Sequence, residues 1–160
     1  MYYKDLAYNM TFTNEKQMES EDSLQREAPA ALKQTLQIAL SEERSMMGTI
    51  GCADVLSTHP ETVSLCILPK EDGVNGLIQH KLIQAYCWEN DIPVLLVDSE
   101  VNLRKILSRE IKNSIESDVS CVIIKNKEGP LSVAETTLAK YYAWLIAHDV
   151  DPHPILQLPV

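Results

Sequence analysis

Apolar and polar positions change their period several times along this chain, and each change marks an element. From Ala28 onward Leu32, Leu36, Ala39 and Leu40 recur at helical spacing up to the charged Ser41-Glu42-Glu43-Arg44, and Pro29 suits a first helical turn. Met46 to Ile50 reads as a short strand, followed by a short helix in CADVLST that the His59-Pro60 break closes. Val63 to Leu68 is apolar almost without interruption, the signature of a central strand buried on both faces. Two further runs of this kind are Pro93 to Val97 and Val119 to Ile124.

Helical patterns fill the intervals, over Gly76 to Trp88 and Ser99 to Ile111. A fifth helix is predicted from Ser132, where Ser132-Val133-Ala134-Glu135 has the form of a capping box: the Ser hydroxyl accepts from the third helical N–H and the Glu reaches back to the cap. Leu138, Tyr142 and Leu145 then share one face. The tail is broken by Pro152, Pro154 and Pro159, which leaves room for a short edge strand at Ile155 to Leu158. Helices alternating with strands at these lengths predict an α/β fold, a three-layer α/β/α sandwich around a central mixed sheet of four to five strands. Residues 1–27 are polar and acidic with little periodicity and read as a flexible arm, so residues 28–160 form the expected single domain.

Composition narrows the functional classes. The chain has 160 residues with 14 basic against 23 acidic side chains, a formal net charge of −9 that repels a phosphate backbone and favours basic protein surfaces. No apolar stretch approaches a membrane span, and Met1 to Glu27 lacks the apolar centre of a signal peptide, so an intracellular protein with no membrane partner is expected. Cys52, Cys66, Cys87 and Cys121 are widely spaced in apolar contexts, without a CxxC pair or a close His–Cys spacing, and read as buried structural thiols.

The sequence offers few groupings that carry chemistry. There is no GxGxxG after the first strand, no GxxxxGK followed by Ser or Thr, and the five glycines do not cluster. Asp98 and Lys125 end two strands in a placement similar to that of bacterial receiver domains, but the first strand lacks the acidic pair that would hold a divalent cation. Asp98 and Ser99 therefore read as helix-start residues. His148, Asp149, Asp151 and His153 have metal-ligand types, but two prolines and an exposed turn are enough to explain them, and they read as a solvated turn. No Ser or Cys occupies a GxSxG elbow. No enzyme activity, cofactor or metal is expected.

Two words of this sequence carry a family resemblance. HPETVSLCIL, His59 to Leu68, is similar to D-P-x-x-V-x-L-C-L-L, and LIQAYCWENDIPVLLV, Leu82 to Val97, is similar to L-I-Q-A/S-F-C-C-E/D-N-D-I-N-I-x-R-V. Both belong to the growth-arrest-and-DNA-damage-inducible (Gadd-type) stress-sensor family, the acidic branch of the kink-turn RNA-binding, ribosomal-protein-like superfamily. Lesser echoes are Gly48, Leu103 to Leu107 and PHPILQL near the end. The resemblance implies a non-enzymatic, stress-induced binding protein of nucleus and cytoplasm, active in growth arrest, apoptosis and DNA repair. It implies that the protein binds and activates a MAP kinase kinase kinase by relieving autoinhibition. Further implied partners are the replication sliding clamp, cyclin-dependent kinase complexes and a second copy of the chain.

Residue by residue, the resemblance places a dimer contact on Leu82 with Gln79, His80 and Tyr86 as neighbours, whereas periodicity alone leaves Leu82 equally compatible with the core. It places an acidic partner-binding loop at Pro69 to Gly76, shorter here and retaining Glu71 and Asp72, with Glu89 and Asp91 as the remaining acidic candidates. The alternative is a kink-turn-type RNA-binding module. The RNA-binding branch carries G-x-N-E with nearby lysines where this chain reads Gly48-Thr49-Ile50-Gly51-Cys52-Ala53-Asp54, so direct nucleic-acid binding is disfavoured.

Overall fold

Val63 to Pro69 forms the strand β2, and all seven of its residues are buried. A strand with no solvent face needs cover on both sides, and that requirement sets the architecture. The computed structural model describes residues 18–70, 73–108, 118–150 and 153–159. In chain order these give α1 (Met18–Ser41), β1 (Ser45–Met47), α2 (Thr49–Thr58), a 3-10 turn (Pro60–Thr62), β2, α3 (Val74–Glu89), β3 (Val94–Val97), α4 (Glu100–Ser108), β4 (Val122–Lys125), α5 (Val133–Ala147) and β5 (Ile155–Leu156).

The sheet has five strands in the order β1-β4-β2-β3-β5. β3 runs parallel to β2, with Cys66 opposite Val94 and Leu68 opposite Leu96, and β5 runs parallel to β3. β4 is antiparallel to both β1 and β2, pairing Cys66 with Ile123 and Met46 with Ile123 on its two sides. The mixed α/β sheet of the sequence reading is thus present. Helices lie on both faces: Leu32, Leu36, Leu103, Leu107, Leu138 and Leu145 of α1, α4 and α5 join one core with Leu65, Ile67 and Val97. Cys52 and Leu56 of α2, with Ile83 and Cys87 of α3, cover the other face over Cys66, Leu68, Cys121 and Ile123.

Element boundaries moved where side-chain pattern was a weak guide. α1 starts at Met18, well before Ala28, and Pro29 lies inside it instead of in its first turn. Good helix formers in the preceding residues, with Ser23 Oγ bonded to Glu27 Oε1 at 3.1 Å, extend the helix without an apolar stripe, and Pro29 costs one backbone bond. Residues 1–17 of the expected arm lie outside the described residues. β1 stops at Met47, because Gly48 turns the chain at φ +100 and Thr49 already begins α2. β4 begins at Val122, β5 contains only Ile155 and Leu156, and the expected end of α4 at Ile111 falls outside the described residues.

At the capping box, Ser132 Oγ accepts from the Glu135 N–H at 3.2 Å, as the pattern requires. The Glu135 side chain has another partner. It is 1% exposed and binds Arg44 Nη2 at 2.6 Å, while Arg44 Nη1 donates to the Lys125 carbonyl at 3.1 Å and the Arg44 carbonyl accepts from Lys125 N at 2.7 Å. One buried guanidinium therefore ties the segment after α1 to the end of β4 and the first turn of α5. Arg44 Nη2 also reaches the half-exposed Glu42 Oε1 at 3.2 Å, so Glu135→Ala leaves the guanidinium only this outer carboxylate and should destabilise the fold by about 2–3 kcal/mol in urea unfolding. Arg44→Met combined with Glu135→Leu should recover most of that loss.

Candidate functional site

α3 is the helix on which most of the candidate residues fall, and it is attached to the fold along a narrow strip. Of its sixteen residues, His80, Ile83 and Cys87 are buried, an i, i+3, i+7 line facing the sheet. Large apolar side chains also occupy its outer surface: Val74 is 74% exposed, Ile78 62% and Leu82 57%, spaced four apart, with Leu77 beside them and Trp88 at the far end. Leu82 therefore stands outside the core of the protomer. Lys81 and Glu89 are the formal charges of this helix, in a chain of net charge −9.

The other residues assigned to the self-association face divide. Gln79 is exposed beside Leu82, and Tyr86 is half-buried against the α2/α3 core. His80 is turned inward, with Nε2 3.0 Å from the Ser120 carbonyl oxygen, because position 80 lies on the 80/83/87 strip and not on the 78/82 face. Among the acidic candidates, Glu89 and Asp91 are exposed where α3 turns toward β3, and Asp91 takes a left-handed φ of 56. Glu71 and Asp72 lie outside the described residues. The sixteen-residue helix spans about 24 Å, so the residues that precede it and the Glu89–Asp91 turn belong to opposite ends of one element. Val74, Ile78 and Trp88 were not singled out from the sequence; two apolar stripes on a single helix were the available signal.

The receiver-like arrangement does not form. Asp98 follows β3 and Lys125 ends β4, but β3 is parallel and β4 antiparallel to β2, which puts the two residues toward opposite ends of the sheet. Asp98 Oδ1 instead accepts from Leu158 N at 3.2 Å and clasps the C-terminal segment. Ser99 does start a helix: its Oγ accepts from Asn102 N at 3.2 Å. His148 lies against Trp144 at 4.9 Å between ring centroids, and His153 lies edge-on to Tyr142 at 6.0 Å. Among the described residues no group of three or more His, Cys, Asp or Glu could hold a metal ion.

The edge that would face RNA is occupied from within. Gly48 N donates to the Cys121 carbonyl at 2.9 Å, and the N-terminus of α2 meets the Asp118 carboxylate, whose Oδ2 accepts from Thr49 N at 3.4 Å. Asp118 Oδ1 also accepts from the Ser120 hydroxyl at 2.6 Å and the Ser120 N–H at 3.0 Å. A carboxylate already fills the place at this helix terminus that a phosphate would take, and its charge repels one.

Comparison with known proteins agrees with the two sequence words. Growth arrest and DNA damage-inducible protein GADD45 beta of Bos taurus is 30% identical over 104 residues, which cover 61% of this chain and 65% of that protein. GADD45 alpha of Felis catus is 32% identical over 108 residues, covering 60% of this chain and 66% of that protein. This chain is a Gadd-type family member. It spans about 65% of the length of the curated relatives it matches. No protein-family model matches it. A solved structure of a protein of unknown function from Bacillus halodurans aligns with a TM-score of 0.46 at 20% identity, covering 67% of this chain and 91% of that one, a likeness too distant to carry information.

In this Gadd-type chain the Asp118 contacts have a pH signature. The Ser120 hydroxyl, then the backbone N–H groups of Ser120 and Thr49, hold the Asp118 carboxyl below the ordinary carboxylate range against the opposing effect of burial. A depressed folded-state value stabilises the fold above the unfolded pKa of about 4, and this contribution is lost as pH falls through the lower folded value. Asp118→Ala should therefore cost about 0.5–1 kcal/mol at pH 7, with the difference from the parent shrinking in denaturant titrations as pH falls below the ordinary carboxylate range.

Proposed function

We propose that this protein is a non-enzymatic regulator of the stress response that works by binding, self-associating through α3 and activating a MAP kinase kinase kinase. The observation that carries the reading is the outer face of α3, where Val74, Ile78 and Leu82 are exposed on a helix almost free of charge. On a protein of net charge −9, such a helix is where two copies approach with least repulsion. Resemblance to the Gadd-type family supports the kinase as partner. Activation then needs no chemistry: a ligand that binds the open kinase better than the autoinhibited one shifts the population toward the open form. The sliding clamp and cyclin-dependent kinase complexes are further proposed partners, with nucleus and cytoplasm as the proposed locations and growth arrest, apoptosis and DNA repair as the downstream processes.

Leu82→Glu tests self-association. An exposed position should tolerate the change with stability altered by about 0.5 kcal/mol or less, while sedimentation velocity shows the parent as a dimer and the variant as a monomer. A parent that sediments as a monomer at tens of micromolar, or a variant that remains dimeric, would move the interface elsewhere.

The acidic contacts are tested separately. Charge reversal to Lys at Glu71 and Asp72, and in a second variant at Glu89 and Asp91, should weaken binding to a MAP kinase kinase kinase at low salt by about tenfold for the pair that makes contact. The effect should shrink as ionic strength rises. Unchanged affinity in both variants rejects the acidic surface as the binding site.

A further inference from the structure

All four cysteines of the chain, widely separated in sequence, meet in one place. Cys52 from α2, Cys66 from β2, Cys87 from α3 and Cys121 from the approach to β4 are fully buried in a single cluster between the sheet and the α2/α3 layer. The antiparallel register that sets Cys66 opposite Ile123 puts Cys121 one diagonal step away on the same face of the sheet. The Cys66 and Cys121 sulfurs are 3.9 Å apart. Cys52 is engaged differently, its thiol directed at the carbonyl oxygens of Met46 at 3.5 Å and Cys121 at 3.6 Å. A disulfide needs sulfurs about 2.05 Å apart, so a change of side-chain rotamer with a small shift of the strands would join this pair.

We propose that Cys66 and Cys121 form a reversible disulfide when a hydroperoxide reaches the α2/α3 layer. Buried thiols are normally inert, so the reaction depends on access. This layer is the lightly held one: α2 buries Cys52 and Leu56, and α3 buries His80, Ile83 and Cys87. The opposite layer joins α1, α4 and α5 in a much larger core. Few buried apolar contacts place α2 and α3 among the elements that open locally at low cost, and such opening exposes the thiols without unfolding the sheet.

The two sulfurs have distinct roles. The neighbouring thiols, Cys52 first and then Cys66, draw the Cys121 thiol down against the opposing effect of burial, whereas Cys66 is pushed up by Cys121, Cys87 and its own burial. Cys121 as thiolate attacks one oxygen of hydrogen peroxide; the O–O bond breaks, giving a Cys121 sulfenic acid and hydroxide, which takes up the proton that the thiol released. The Cys66 sulfur then attacks the Cys121 sulfur and gives up its proton to the departing hydroxide: the S–O bond breaks, the S–S bond forms and a second water leaves. Two thiols are oxidised by two electrons in total and one peroxide is reduced to two waters. A dithiol reverses the reaction. The bond ties β2 covalently to the segment entering β4, beneath the helix whose outer face carries Leu82.

The test uses the full chain, reduced, freed of reductant and exposed to a small excess of hydrogen peroxide, then alkylated and mapped by mass spectrometry. The expected result is a loss of about 2 Da per chain, reversed by dithiothreitol, with the peptides containing Cys66 and Cys121 joined. Cys66→Ser and Cys121→Ser should each abolish the loss, and Cys87→Ser should preserve it. The map of the parent protein decides even where a serine variant fails to fold. Joined peptides containing Cys87 or Cys52, oxygen addition with no loss of hydrogen, or no reaction in the native chain under conditions that oxidise the urea-unfolded chain would each overturn the proposal.

Discussion

The fold depends on the complete burial of β2. With all seven residues of Val63 to Pro69 away from water, neither face of the sheet centre can be left open, and helices must be supplied on both sides. The two covers are unequal. α1 and α5 pack along each other, joined by α4, and the buried Arg44–Glu135 pair fastens this layer to the end of β4. A buried ion pair of this type adds little net stability over an apolar pair, but it penalises every arrangement in which one partner is left alone. It thus fixes the register of α1, β4 and α5 more than it strengthens them.

The opposite cover, α2 and α3, is thin, and the functional proposals come from that side. α2 begins at a left-handed Gly48 and has Asp118 at its N-terminus, which takes up the helix end that an anionic ligand would otherwise meet. α3 contacts the sheet through one narrow strip, so most of its circumference faces solvent. Exposed Val74, Ile78 and Leu82 contribute nothing to the protomer's own core and are costly to leave in water. The exposed apolar face of α3 and the less buried of the two layers thus lie on the same side of the sheet.

Much of this was legible in the sequence. The continuous apolar run at Val63 to Leu68, the alternation of helices with strands and the capping Ser132 announced themselves through period and turn chemistry, because burial on two faces and satisfaction of a helix end each demand particular residue types. The family words HPETVSLCIL and LIQAYCWENDIPVLLV were legible because they are long. Helix α1 was read short, since residues preceding Ala28 are helical by local propensity and leave no apolar stripe to count.

What only the tertiary structure decided concerns partners far apart in the chain. No local pattern told Glu135 to leave its capping role for Arg44, or Asp98 to hold Leu158, or Asp118 to meet Thr49. Leu82 and His80 sit two residues apart on the same helix and look equally ready for a partner in the sequence. One faces water and the other the Ser120 carbonyl, because the packing of α3 on the sheet selects which 100° sector of a helix with apolar side chains on two faces is buried. By itself the sequence determined the α/β class, the central strands and the family resemblance, which depend on local chemistry. Which charges pair, which thiols meet and which leucine is bare follow from long-range contacts, and those exist only once the sheet has brought its strands together.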